Sequence, residues 1–178
     1  NAHYIEPLTR FTRVDHPEIT YDLLAIISGP EPQRTIFEQL VVEQVQKASS
    51  LRTLIVQGKS ETDDDFQLSE QVRMISHLDS SALNNAVNGS GMILARPGYS
   101  TIMDLAALGK RAVLVPTPGQ TEQEYLAGKF MKEKVYYSEP QDRFDLVRAL
   151  QRARDYEGLN KESGAEKIVL ERVRKLLA

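Results

Sequence analysis

Apolar positions in this chain come in short, nearly unbroken runs, separated by stretches in which they recur every three or four residues. The runs are Leu23-Leu24-Ala25-Ile26-Ile27, Leu54-Ile55-Val56, Val72-Arg73-Met74-Ile75, Met92-Ile93-Leu94 and Ala112-Val113-Leu114-Val115. Aliphatic and β-branched residues this closely spaced suit strands that are covered on both faces. Between the runs the period changes. Ile36, Phe37, Leu40, Val41 and Val45 share one face of a helix starting near Pro32, and Ile102, Leu105, Ala106 and Leu108 share one face of a helix ending at Gly109. The pattern predicts further helices around Leu83 and Val87, over Glu122 to Lys132, over Asp142 to Arg154 and over Gly164 to Leu177. Such alternation predicts an α/β fold: a doubly wound, mostly parallel, Rossmann-like sheet with helices on both faces. Two segments stand outside it. Residues before Tyr21 read as a connector or edge piece, and Ser60 to Asp65 read as a polar loop.

In a parallel sheet of this kind, ligands bind beyond the carboxyl ends of the strands. Here those ends run into Ser28-Gly29-Pro30-Glu31-Pro32, Ser76-His77-Leu78-Asp79-Ser80, Arg96-Pro97-Gly98-Tyr99 and Thr117-Pro118-Gly119-Gln120-Thr121. Three of the four contain a glycine, which lets a ligand approach the backbone. The third leads into Ser100-Thr101-Ile102-Met103-Asp104, two hydroxyl residues opening a helix with a carboxylate one turn in. Backbone N–H groups at a helix start favour a phosphate, and a carboxylate there can accept from paired ribose hydroxyls. Thr101-x-x-Asp104 also has the form of a capping box, a purely structural alternative. The same choice applies to Thr121-x-x-Glu124. There Gln120, Glu122 and Gln123 follow a Pro-Gly turn, a concentration of hydrogen-bonding side chains suited to a sugar ring.

Composition narrows the ligand without naming it. At 178 residues the chain fits one domain with a sizeable core. A net charge of −3 with no Lys/Arg cluster argues against a nucleic-acid partner. The absence of cysteine excludes disulfides and thiolate metal sites and is compatible with a reducing cytoplasm. No apolar run reaches membrane-spanning length, and no signal peptide is visible. Asn1-Ala2 is expected to be a cloning remnant, with the natural protein beginning further upstream. The dinucleotide fingerprint, the Walker loop, His-Glu-x-x-His and Gly-x-Ser-x-Gly are all absent. Asp63-Asp64-Asp65 could bind a metal but reads as a solvated surface turn. His77, at a strand end, could serve acid–base chemistry but reads as a polar loop residue, and His3 and His16 carry no role.

Arg96-Pro97-Gly98-Tyr99-Ser100-Thr101-Ile102-Met103-Asp104-Leu105-Ala106-Ala107-Leu108-Gly109, followed by Ala112-Val113-Leu114-Val115-Pro116 and Glu122-Gln123-Glu124-Tyr125, resembles the C-terminal domain of glycosyltransferase family 28. That family's pattern runs Arg-x-Gly-Ala-x-Thr-x-x-Glu, then a glycine, Val-Pro and a Gln-Gln-Tyr stretch. The resemblance implies the C-terminal, donor-binding half of a GT-B glycosyltransferase. Residues 1–20 would then connect from an N-terminal acceptor domain, and 21–178 would form the nucleotide-sugar-binding domain. It implies that Ser28, Gly29, Arg96, Gly98, Ser100, Thr101 and Asp104 bind the nucleotide and diphosphate. By the same resemblance Ser76, His77 and Leu78 face the base, and Gln120, Gln123 and Glu124 face the donor sugar. Four departures stand out: Asp104 replaces Glu, Glu124 replaces the second Gln, Gly119 replaces a frequent His, and Ser28-Gly29-Pro30 replaces Gly-Gly-Ser.

The implied activity is inverting transfer from a UDP-sugar, UDP-N-acetylhexosamine or UDP-hexose, without metal or other cofactor. No catalytic residue is expected in this chain, because the base and acceptor site come from the other domain, so the chain alone is expected to be inactive. The implied partners are the nucleotide-sugar donor, the acceptor domain and a lipid-linked or glycan acceptor at the membrane surface. The implied location is cytoplasmic, peripheral to the inner face of the membrane. A sugar-nucleotide epimerase or hydrolase of the same two-domain fold, or a non-catalytic nucleotide-binding module, remains open at this stage.

Overall fold

The structure, a computed structural model, describes residues 9–159. Seven strands form one sheet: β1 (Tyr21–Ile26), β2 (Thr53–Val56), β3 (Asp65–Gln67), β4 (Val72–Ile75), β5 (Ser90–Ala95), β6 (Ala112–Leu114) and β7 (Tyr137–Ser138). The described helices are α1 (Gln33–Lys47), α2 (Ser80–Asn88), α3 (Tyr99–Leu108), α4 (Thr121–Lys132) and α5 (Leu146–Ala153). The strand order is β3-β4-β2-β1-β5-β6-β7, parallel except where β3 runs antiparallel to β4. Chain order therefore reverses between β1 and β5, and a crevice opens there beyond their carboxyl ends.

Side chains alternate across the sheet as the pleat requires. Leu23, Ala25 and Ile27 of the first strand segment face Phe37, Val41 and Val45 of α1 and Leu146 and Ala149 of α5. Leu24 faces the other way, into a core with Leu83 and Val87 of α2, Ile102 and Leu105 of α3, and Leu126 and Phe130 of α4. Both faces are thus covered, which explains why the central strands are apolar without interruption. At Gly109 the chain leaves α3 with φ 62°, the left-handed conformation that ends helices cheaply only with glycine.

Local features differ from the sequence reading or add to it. Asp65, read as the last residue of a polar loop, opens the edge strand Asp65–Gln67, where it takes Arg73 through two bonds of 2.9 and 2.6 Å. Tyr137–Ser138 adds a seventh strand that its two residues do not announce. The helix expected over Asp142 to Arg154 is split into a 3₁₀ turn at Gln141–Arg143 and α5. Phe144 is extended between them, and Asp145 caps α5 by accepting from the Arg148 N–H at 2.8 Å. Neither capping box forms: α3 starts after Gly98 and α4 after Gln120, so Thr101 and Thr121 already lie inside their helices. The helix expected over Gly164 to Leu177 lies outside the described residues.

The far end of the sheet is locked by Glu139, which is 5% exposed. It accepts from Arg148 at 2.9 and 2.8 Å, from the Tyr137 hydroxyl at 2.8 Å and from the Asp145 N–H at 3.1 Å. Burial pushes its carboxyl up, but these donors, Arg148 foremost, push it further down, and the net shift is downward. A depressed carboxylate stabilises the fold above its unfolded pKa and loses that contribution as pH falls through the folded value. Glu139→Gln is expected to cost about 1.5–3 kcal/mol at neutral pH. The difference from the parent should shrink in acid, below the unfolded carboxylate range, as urea denaturation at pH 7 and pH 3 would show.

Candidate functional site

The crevice at the β1–β5 reversal holds a cavity of about 610 Å³. Its wall includes Ile26 and Ser28 from the end of β1, Gly98, Ser100, Thr101 and Asp104 from the start of α3, Gln123 of α4, and Arg10 and Phe11. The third loop of the sequence pattern and the first therefore meet, with Gln123 from the helix that follows the fourth.

The amino terminus of α3 is the chemically open element. Its cap position is Gly98, and no side chain caps it. The amides of Tyr99, Ser100 and Thr101 open the helix without an intrahelical acceptor, as helix geometry dictates. A Cβ built on Gly98 would meet only Thr101 Oγ1, at 4.0 Å, and the backbone there has φ −79°. Neither packing nor strain within the protein requires glycine at 98, so the space is open to a ligand. By contrast, the start of α1 already carries a carboxylate. Glu31 accepts from the Thr35 N–H at 3.2 Å and from Arg34, and the Arg34 N–H reaches the Pro30 carbonyl. Gly29, at φ 112° and open to solvent, leaves room beside this loop.

Asp104 sits one turn into α3, half-buried, on the cavity wall. It does not cap the helix. Its Oδ1 accepts from the Thr9 hydroxyl at 2.6 Å. Burial raises its carboxyl pKa, opposed by the Thr9 bond and the nearby Arg10 charge, and the net shift is upward. Thr9, Arg10 and Phe11 were not anticipated as site residues. Phe11 is buried in the core shared with α2 and α3. The segment behind it is held on α2, where Asn84 Oδ1 accepts from the Thr12 N–H and Asn88 Oδ1 from the Val14 N–H, both at 3.0 Å.

Arg96 lines the same cavity and is held mainly by the protein itself. It is 2% exposed, and its guanidinium donates to the carbonyls of Val115 and Pro116 at 3.0 Å, to the Gln33 carbonyl at 3.4 Å and to Gln141 Oε1. It also lies 4.0 Å over the Phe37 ring. Burial without a carboxylate partner lowers its pKa to about 10. Arg96 thus fastens the end of β6 and the start of α1 to the β5 turn, which positions the loop that presents Gly98. Its two Nη groups donate within the protein, while its Nε is buried without a hydrogen-bond partner among the described residues.

The expected sugar-facing residues are placed unequally. Gln123 lines the cavity, and its Oε1 accepts from the Thr117 N–H at 2.9 Å, leaving its amide NH₂ as a donor group. Glu124 Oε1 accepts from the Gly119 N–H at 3.0 Å, so it braces the 117–119 turn. Gln120 is the exposed cap residue of α4, with no side-chain cap bond. The base-facing group lies off the cavity wall. Ser76 is buried and accepts from the Asp64 N–H at 2.7 Å, exposed His77 donates through Nδ1 to the Thr62 carbonyl at 2.9 Å, and Leu78 packs on the α2-side core. Among the described residues, no three of His, Asp or Glu converge as metal ligands would.

Comparisons with known proteins bear on the family and the fold. The family model described as the glycosyltransferase family 28 C-terminal domain matches residues 23–173. Curated relatives from Haemophilus influenzae strains PittEE and PittGG carry the name UDP-N-acetylglucosamine–N-acetylmuramyl-(pentapeptide) pyrophosphoryl-undecaprenol N-acetylglucosamine transferase. Each is 26% identical over 112 residues, covering 61% of this chain and 31% of the relative. The chain thus spans about a third of the length of the curated relatives it matches. Among solved structures, the spinosyn forosaminyltransferase SpnP superposes with a TM-score of 0.56 at 16% identity, over 94% of this chain and 49% of that one. The glycosyltransferase SnogD from Streptomyces nogalater gives 0.51 at 14% identity, over 98% and 42%. These likenesses show the fold, that of one half of a GT-B glycosyltransferase.

Proposed function

Because the chain belongs to the glycosyltransferase family 28 C-terminal domain family, we propose that it is the donor-binding domain of an inverting, metal-independent glycosyltransferase using a UDP-sugar. One observation carries the reading: an uncapped helix start and a half-buried carboxylate one turn further in share the wall of a single cavity at the strand reversal. The diphosphate lies against the amides of Tyr99, Ser100 and Thr101, with the Ser100 and Thr101 hydroxyls beside them. Asp104 accepts from the ribose, and Gln123 donates to the sugar, for which UDP-N-acetylhexosamine or UDP-hexose is the class. Ser28 and Gly29 leave room for the phosphates on the β1 side, and Arg10 adds a cation at the cavity wall.

In the transfer, an acceptor hydroxyl oxygen bonds to the anomeric carbon from the face opposite the phosphate. The bond from that carbon to the phosphate oxygen breaks, its electron pair leaves with UDP, and the hydroxyl proton passes to a base on the acceptor domain. This chain stabilises the departing charge through backbone dipoles, which is worth about 2.7–4 kcal/mol per well-aimed donor in comparable sites. The connector of residues 1–20 leads to the acceptor domain, and the assembled enzyme works at the cytoplasmic face of the membrane on a lipid-linked or glycan acceptor.

Calorimetric titration of the 178-residue chain with UDP tests the reading. Binding is expected, with the same affinity in EDTA as in magnesium, while the chain alone neither transfers sugar nor hydrolyses a UDP-sugar above background. Affinity that vanishes in EDTA contradicts the metal-independent site. Robust turnover by the chain alone contradicts the division of labour between two domains.

A further inference from the structure

We infer that Thr9 is a positioning residue for nucleotide recognition, holding the short Asp104 carboxylate in the orientation from which it accepts from ribose. The inference rests on the donor-site reading above. Thr9 lies 95 positions from Asp104 in sequence, yet its hydroxyl donates to Oδ1 at 2.6 Å. That hydroxyl is itself oriented, because its oxygen accepts from the Phe11 N–H at 3.1 Å. The proton therefore points at the carboxylate. A relay runs from the Phe11 amide through Thr9 to Asp104.

The segment that carries Thr9 is anchored. Phe11 is 8% exposed and packed with core residues of α2 and α3. Asn88, 3% exposed, both accepts from the Val14 N–H and donates to the Thr12 carbonyl at 3.0 Å. Lifting Thr9 away would mean uncovering Phe11 or breaking this clasp, so the contact serves as a brace rather than a movable plug. Among the described residues Thr9 is the one hydrogen-bond donor to Asp104, and it meets Oδ1 alone. Oδ2 is left for the ligand. An unbraced aspartate can rotate about its terminal torsion and present either oxygen at many angles. With Oδ1 fixed, Oδ2 has a defined direction into the cavity.

The test compares Thr9→Val, which keeps shape and loses the hydroxyl, with Thr9→Ser, which keeps the hydroxyl. UDP and pyrophosphate are the probes, and the Asp104 side-chain carbon is followed through its pH titration by NMR. Thr9→Val is expected to weaken UDP binding about fivefold or more, the worth of one ordinary hydrogen bond. Pyrophosphate, which lacks ribose, should bind the variant as it binds the parent. The Asp104 carboxyl should titrate at higher pH in Thr9→Val, since a bond to the ionised form is lost. Arg10 and Arg96, the other charged groups on the cavity wall, remain in both variants. Thr9→Ser should restore both affinity and titration to within about twofold of the parent.

UDP binding unchanged in Thr9→Val overturns the role of Thr9 while leaving the nucleotide site intact. Tighter binding overturns it in favour of a competitor for Asp104. Equal loss for pyrophosphate, an unmoved titration or failure of Thr9→Ser to rescue also overturns it. Absence of UDP binding by the parent itself removes the donor-site reading, and this proposal with it.

Discussion

Replacing Arg96 by alanine lowers the unfolding free energy by about 3–5 kcal/mol, the range for losing a large buried side chain with its hydrogen bonds. The guanidinium fills space between α1 and the β5 turn and gives hydrogen bonds to three backbone carbonyls and to Gln141. Without it, the carbonyls of Val115, Pro116 and Gln33 lose a charged donor, and each buried group left unpaired costs about 1–3 kcal/mol. Its contact with Phe37, 4.0 Å from guanidinium to ring centroid, is worth about 0.5–2 kcal/mol more. Working against these is the burial of a cation without a counter-charge, which removal relieves and which keeps the total below the sum. Arg96→Lys should recover only part of the loss, because a single ammonium cannot span acceptors on β6, α1 and the 3₁₀ turn at once. Urea denaturation measures both variants. A loss under about 1 kcal/mol for Arg96→Ala would show that these bonds do not hold the loop.

The sequence pattern revealed the sheet where burial is two-sided and failed where it is not. Leu23 to Ile27 and Ala112 to Val115 are apolar because helices cover both faces, and that demand is written into every position. Phe66 and its neighbours form β3 at the exposed edge, where only a single partner strand selects for anything. Tyr137 and Ser138 pair over two residues, too few for a period. The capping boxes misled because Pro97-Gly98 and Gly119-Gln120 set the entry of each helix by turn geometry, ahead of the hydroxyl residue the box would use. The packing role of Arg96 was hidden for another reason. The sequence shows a charge beside a glycine turn, and only the structure shows Phe37 and the carbonyls after β6 packed around it. Thr9 carried no signal at all, since its partner lies 95 positions away in the chain.

Asp104→Asn separates recognition from stability. As a ribose acceptor the carboxylate makes a charge-assisted bond worth about 1.5–3 kcal/mol, so UDP should bind tenfold or more weakly to the variant. Pyrophosphate affinity should not change, and the preference for UDP over pyrophosphate should disappear. Stability should hold, because Asp104 caps no helix and an asparagine Oδ1 can still accept from Thr9. Its raised pKa gives the same sign: burial favours the neutral form, so the ionised carboxylate is a cost to the fold at neutral pH that the amide removes. The variant should melt no lower than the parent. For the parent, UDP binding should weaken as pH falls through the raised pKa of Asp104, and Asp104→Asn should lack that step. Early melting with undiminished UDP binding would leave Asp104 a structural residue.

The central claim is that the diphosphate of a nucleotide sits on the amides that open α3. Amide chemical-shift mapping of the isotopically labelled chain during titration with UDP tests it most directly. The account predicts saturable shifts largest at Gly98, Tyr99, Ser100 and Thr101, accompanied by the Asp104 side chain. Shifts centred on the start of α1, already served by Glu31, or no shifts at millimolar UDP, would contradict it.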